Sequence, residues 1–224
     1  MEPLYKYPRT YHLPRSGCLA GDDKIHPQMK LFDNETVIVT EKLDGENTTM
    51  YRDAIHARSV DSQNARHPSR DRVKALWGDI RYAISPGIRI CGENMYAIHS
   101  IKYNDLESYF YVFSMWLNDY ILSWDEMLDE INKIELNTGI RLSVVPLLYY
   151  GSYNKKKIHE IWLNYSEKLN RESEGYVIRI DKKIAYPSNF FMELVKYVRK
   201  NHIQTDENWL KNWTPDKINH LKRK

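Results

Sequence analysis

The chain is short of the residues that most often announce a function. Among its 224 residues are only two cysteines, nine glycines and no apolar run near the ~18 residues that cross a bilayer. Cys18 and Cys91 lie far apart and form no C-x-x-C. That argues against a zinc finger or a disulfide framework and fits a reducing, cytoplasmic compartment. The opening "MEPLYKYPRT" has no apolar core, so no secretory signal is expected. The N-x-[ST] matches at Asn34, Asn47 and Asn164 then carry no meaning as glycosylation sites. There is no G-x-x-x-x-G-K-[ST] loop and no G-x-G-x-x-G fingerprint. G-x-S-x-G and H-E-x-x-H are missing too. The eight histidines show no metal-ligand spacing and read as surface or packing residues. Net charge is only +3, so any nucleic-acid site must be a local patch.

What is present is a foldable core. Apolar residues make up 42% and charged residues 28%, which suits one large domain with a small appendage. Seventeen tyrosines and six tryptophans serve either as core or as stacking platforms for bases. Residues 1–36 carry Pro3, Pro8, Pro14 and Pro27 and read as an extended arm packed on the domain. Strands are expected at Val37–Thr40, Thr48–Arg52, Ala54–Ser59, Ile88–Met95, Tyr109–Trp116, 143–150, Gly175–Ile180 and Phe191–Val198. Helical spacing runs over Ser69–Ile84 and Lys155–Asn170, and Ser123 with Glu126 forms a capping-box pattern. A helical tail is expected from Glu207, interrupted at Thr214-Pro215. The elements mix without regular βα alternation, which points to α+β rather than a doubly wound sheet.

The stretch "VTEKLDGEN", Val39 to Asn47, places a lysine at the end of a buried strand among three acids. A lysine becomes a nucleophile once it sheds its proton. Cations lower its pKa and carboxylates raise it, so Glu41, Asp44 and Glu46 fit only if some of them face elsewhere. Side chains alternate faces along a strand, which lets Glu41 point away from the Lys42 amine. Gly45 is expected to turn the chain with a positive φ.

This stretch resembles motif I of the covalent nucleotidyltransferases, the family of ATP-dependent RNA and DNA ligases and capping enzymes. The resemblance continues in order through "IHARS" with Arg58, "RICGENMY" with Glu93, "YFYVFSMW" with Phe113, "ESEGYVIRI" with Glu174 and "ELVKYVRK" with Lys196. It covers residues 39 to 199. It implies an adenylyltransferase domain of mainly antiparallel sheets flanked by helices, over residues 37–200, with a short helical tail over 201–224. It implies that Lys42 takes AMP as a phosphoramidate. Glu41 falls to the adenine amino group, Phe113 to stacking on the base, Glu93 to the ribose, Arg58 and Lys196 to phosphate, Asn47 to phosphate or a metal-bound water, and Leu43 to the nucleotide. Glu174 falls to the metal as well as the nucleotide. The implied cofactors are ATP and Mg2+, with Mn2+ able to substitute. The motif departs from the family at its end, where Val198 stands in place of a second lysine and Arg199 is displaced by one. Plainer readings stand beside these: Phe113 as core, Arg58 as a solvated strand charge.

After Lys196 only 28 residues follow, too few for the OB-fold that DNA ligases and capping enzymes add. The pattern is therefore most similar to the RNA ligases that seal nicks between 3′-OH and 5′-phosphate ends. Lys42 would attack ATP, AMP would pass to the RNA 5′-phosphate, and the 3′-OH would displace it. The expected partner is RNA, as nicked duplex or structured RNA, and not a membrane. Arg9, Arg15, Arg66, Arg70 and Arg199 are the candidates for RNA phosphates, with ordinary solvated charge as the alternative. Two other functions stay open: a nucleotidyltransferase acting on a protein or an RNA cap, and an inactive RNA-binding relative.

Overall fold

The computed structural model describes residues 3–17, 19, 21, 23–61, 66–202 and 213–223. Its elements in chain order are β1 (Tyr11–His12), β2 (Thr36–Lys42), β3 (Glu46–Met50), β4 (Ile55–Ala57), α1 (Asp71–Ile80), β5 (Ile88–Asn94), β6 (Phe110–Leu117) and β7 (Tyr120–Ile121). There follow α2 (Trp124–Thr138), β8 (Ser143–Val144), β9 (Leu147–Ser152), α3 (Lys155–Lys168), β10 (Gly175–Ile180), β11 (Ile184–Ala185), α4 (Phe190–Glu193) and β12 (Leu194–Val198).

The strands build two sheets. The first runs β1-β12-β10-β2-β9; the second runs β11-β7-β6-β5-β3-β4, with β8 joined to β6. Pairing is antiparallel except at β1/β12 and β6/β8. This is the α+β architecture the sequence implies.

Alternation along β2 decides which face each residue serves. Val37 and Val39 pack with Ile158 and Trp162 of α3, whereas Ile38 joins the large core that α1 and α2 share with the second sheet. Val177 and Leu194 of the first sheet meet Cys91, Trp116 and Ile121 of the second. The sheets therefore face each other, and Lys42, at the end of β2 and 26% exposed, lies at the edge of that contact.

Several expectations needed correction. The segment 143–150 is two strands in different sheets, because Pro146 has no N–H to continue a ladder. The carbonyl of Pro146 instead accepts the N–H of Glu41 at 2.9 Å. The strand expected over Phe191–Val198 begins only at Leu194, preceded by the helical turn α4, where Glu193 N–H bonds back to Asn189 O at 2.9 Å. Residues 207–212 of the expected helical tail lie outside the described residues. Its described part, 213–223, is not helical but lies against the loop after β5 through Ala97–Ile218 and Leu106–Leu221 bridges. Asn219, fully buried, anchors it by donating to Met95 O (2.7 Å) and Ala97 O (3.2 Å). Ser123 caps α2 with Glu126 as its pattern predicts. Cys91 is buried and free, and Cys18 lies outside the described residues. Among the described residues no helix is long and apolar enough to cross a membrane.

Candidate active site

The β2–β3 turn delivers Lys42 to a pocket of carboxylates. Its Nζ donates to Glu174 Oε2 at 2.6 Å. Cross-strand pairing sets this contact, since Lys42 lies opposite Gly175 on β10 and Glu174 is the residue just before it. Gly175 is required by close approach: a Cβ there would lie 1.9 Å from Tyr197 O. Gly45 does not have the positive φ expected of it. It is glycine because a Cβ would stand 2.6 Å from Asn94 O. The tight turn brings the Gly45 N–H to Glu93 Oε1, 3.2 Å away.

The acids around Lys42 sort into distinct roles. Asp44 Oδ2 accepts three hydrogen bonds, from Ser100 N (2.8 Å), Ser100 Oγ (2.7 Å) and Ile101 N (2.8 Å). Burial pushes its pKa up, but these donors and the nearby cations win and hold it below the usual carboxylate range. Glu93 behaves oppositely. Burial first, then the Glu174 and Asp44 charges against Lys42, push it up to about 8. Glu174 is raised by the same burial, against the pull of Lys42. Glu46 is not part of the pocket: it is buried and takes both Nε and Nη2 of Arg70.

Lys42 itself is governed by the acids around it. Burial pushes it down, but Glu174, Glu93 and Asp44 outweigh burial and raise it. The resting amine is an ammonium. Lys196 feels the reverse balance: burial and the Lys42 charge lower its pKa, while Asp23 opposes them. The two ammonium groups thus share one electrostatic site.

A third group joins the carboxylates. His202 Nε2 lies 3.5 Å from Glu174 Oε1 and 3.9 Å from Asp44 Oδ1. One ligand atom from each of Asp44, Glu174 and His202 fits within 4.8 Å of the other two. On β3, Asn47 sits directly opposite Glu93, and its Oδ1 is buried with no partner.

Other expected residues lie where their strands put them. Phe113 is half-buried, at the irregularity where β6 loses register with β5, and takes the edge of Tyr7 at 5.1 Å between centroids. Arg58 follows the end of β4. Leu43 is buried in the main core, so its side chain is a packing group. Glu41 lies on the α3 face of β2. Arg171 Nη1 (2.6 Å) and Nη2 (2.9 Å) and Tyr165 OH (2.8 Å) occupy its oxygens, so here it holds protein rather than presenting a free acceptor to a base. The guanidinium of Arg171 in turn stacks 4.4 Å over the Tyr103 ring.

Of the RNA-contact candidates, Arg70 is withdrawn because it is 6% exposed and paired with Glu46. Arg9, Arg15 and Arg66 are exposed. Arg199 is paired with Glu172 at the surface.

A profile of the RNA ligase family matches residues 35–198, well over half of the chain. The chain belongs to the RNA ligase family. The matched span contains Lys42, Glu93, Phe113, Glu174 and Lys196, and it begins at residue 35, so that residues 1–34 of the N-terminal arm lie outside it. No curated protein matches the chain at a significant level. Solved structures of a Naegleria gruberi RNA ligase share the family fold. One, an alanine variant with ATP and Mn, is 15% identical with a TM-score of 0.53 over 92% of this chain and 59% of its own. A ligand-free variant is 18% identical with a TM-score of 0.53 over 88% and 58%. The chain spans little more than half of those ligases.

Asp44, Ser100, Tyr103, Arg171 and His202 were not assigned roles from sequence. Asp44 stood in the motif without a physical function, and its donors lie 56 residues away, where no local pattern connects them.

Proposed function

We propose that this family member is an ATP-dependent RNA ligase that joins 3′-OH and 5′-phosphate ends through lysyl-AMP and RNA-adenylate. The observation that carries the reading is Lys42 held 2.6 Å from Glu174 at the edge of two facing sheets, with Glu93, Asp44 and Lys196 around it. In the first step Lys42 Nζ forms a bond to the α-phosphorus of ATP. The ammonium first loses one proton to water to expose the lone pair, the bond from that phosphorus to pyrophosphate breaks as the new bond forms, and the second proton leaves nitrogen for solvent or pyrophosphate. Lys196 offers a cation to the phosphoryl oxygens on which charge builds. Phe113 offers a ring face to the adenine, and Glu93 an acceptor to the ribose. The Naegleria enzyme structure contains ATP and Mn, and the same pairing is proposed for this chain.

The residues fit a divalent cation. Three carboxylates, Asp44, Glu93 and Glu174, gather around the Lys42 ammonium, and Glu93 is pushed up to about 8 by burial first and then by the Glu174 and Asp44 charges. Asp44, Glu174 and His202 would hold the ion, and the orphaned Asn47 Oδ1 would accept from one of its waters. Mg2+ or Mn2+ there would neutralise the carboxylates that keep Lys42 protonated and draw charge from the α-phosphate.

Incubation with α-labelled ATP and Mg2+ tests the first step. Label is expected on the wild-type chain, stable to denaturant and alkali and released by acid, as a phosphoramidate should be. It is expected to be absent in Lys42→Ala and absent with GTP. No label from ATP would refute the reading. Nicked RNA and DNA duplexes then test the substrate, and sealing of DNA alone would overturn the RNA assignment.

A further inference from the structure

The N-terminal arm reaches the catalytic cleft by a route the motifs do not describe. β1 pairs in parallel with β12, and His12 stands directly opposite Lys196. Backbone bonds hold it there: Leu13 N–H donates to Lys196 O (2.8 Å) and Gly17 N–H to Val198 O (2.7 Å). His12 is also clamped from its other side, its N–H on Lys24 O and its carbonyl under the His26 N–H, both at 2.8 Å. This second clamp fixes the segment that carries Asp23.

Side chains then close a ring on β12. Val198 N–H donates to Ser16 Oγ at 2.9 Å, and Ser16 Oγ lies 2.9 Å from His12 Nδ1. His12 Nε2 lies 3.1 Å from Asp23 Oδ2, a close contact not aligned as a hydrogen bond, and Asp23 Oδ1 accepts from Lys196 Nζ at 3.4 Å. The His12 side chain is fully buried and that of Asp23 is 5% exposed. A buried carboxylate whose following residues, Lys24 and His26, are bonded to the His12 backbone is a fixed part of the fold. It is spaced to a lysine amine that the ligase reading places on the α-phosphate.

We propose that Asp23 is a positioning residue for adenylyl transfer, aiming the Lys196 amine at the α-phosphate, with His12 and Ser16 fixing Asp23. The role rests on the ligase reading above. One contact to Asp23 leaves the remaining N–H groups of Lys196 for phosphate oxygens. A cation placed in advance needs no reorganisation when charge develops. Residues 1–34 of the arm lie outside the family-matched span, so this anchor belongs to the chain's own N-terminal segment.

Single-turnover labelling by α-labelled ATP, with ATP and Mg2+ varied to saturation, tests the proposal. Asp23→Ala is expected to slow labelling at saturating ATP by about 10-fold to 100-fold, the scale of a misplaced catalytic group, with the KM for ATP changed by less than about 3-fold. Lys196→Ala is expected to slow it at least as much. The deciding variant is Asp23→Ala with Lys196→Ala, which should be no slower than Lys196→Ala alone, because the second cation on Asp23, Arg9 at 3.9 Å, is an exposed side chain to which the proposal gives no part in this step. Asp23→Asn, which keeps size and loses charge, carries the same test if Asp23→Ala does not fold. Labelling of Asp23 variants at the wild-type rate, or effects that multiply in the double variant, would overturn the proposal while leaving the ligase reading intact. Failure of the wild-type chain to take label would instead sink the ligase reading.

Discussion

Arg70 separates a structural cation from an RNA contact, and the structure fixes the size of the difference. Its Nε lies 3.1 and 2.9 Å from the two oxygens of Glu46, and Nη2 closes the second arm of the fork. Both side chains are less than a tenth exposed. Arg70→Ala leaves the Glu46 carboxylate buried and uncompensated, which costs about 3–5 kcal/mol. For a chain of this size each kcal/mol lowers Tm by about 2–4 °C, so the variant should melt about 6–20 °C lower. Arg70→Met with Glu46→Leu removes both charges and should recover most of that loss. Circular-dichroism melting of the three proteins measures this directly. RNA affinity against salt supplies the contrast, since loss of one phosphate contact lowers the logarithmic slope by about 0.9. The reasoning is refuted if Arg70→Ala melts with the wild type while its salt slope falls by that amount.

Two further outcomes follow from the site's surroundings. Gly175→Ala puts a Cβ 1.9 Å from the backbone oxygen of Tyr197; it should cost about 3 kcal/mol in melting experiments and lower Lys42 labelling, and a variant of wild-type Tm and rate would contradict the close packing of β10 on β12. His12 has its pKa lowered to about 4, by burial first and by Lys196 second. A histidine depressed from its usual 6.5 stabilises the fold fully above pH 6.5 and loses that contribution as pH falls through 4. The wild type should therefore lose more Tm between pH 7 and 4 than His12→Gln, and parallel curves would remove the effect.

The parts of the fold legible in sequence were those written in neighbouring residues. The Ser123–Glu126 box and the alternation along β2 need only a few positions to be read, and both hold in the structure. The order of short motifs was equally readable, because it led from "EKLDGEN" to "ELVKYVRK" and the family match spans it. The failures were of another kind. Pro146 splits an apolar run between two sheets, a choice made by strand partners far away. Glu46 was opaque because its purpose lies 24 residues on, at Arg70. Glu41 faced away from Lys42 as alternation requires, but Arg171, 130 residues later, determines what it holds. Burial and pairing of charges are tertiary facts, and a charged residue reads the same in sequence whether it meets solvent or a buried partner.

The β1–β12 pairing has a consequence for how the protein comes into being. Ser16 and Val198, joined by hydrogen bonds, are 182 residues apart in sequence. On the ribosome, the arm emerges well before the strand bearing Lys196 and must wait for it. Contacts of such long span close late and slowly. The order of synthesis thus makes completion of the cleft wait for β12, and a product truncated before β12 carries Lys42 but no Lys196 beside it.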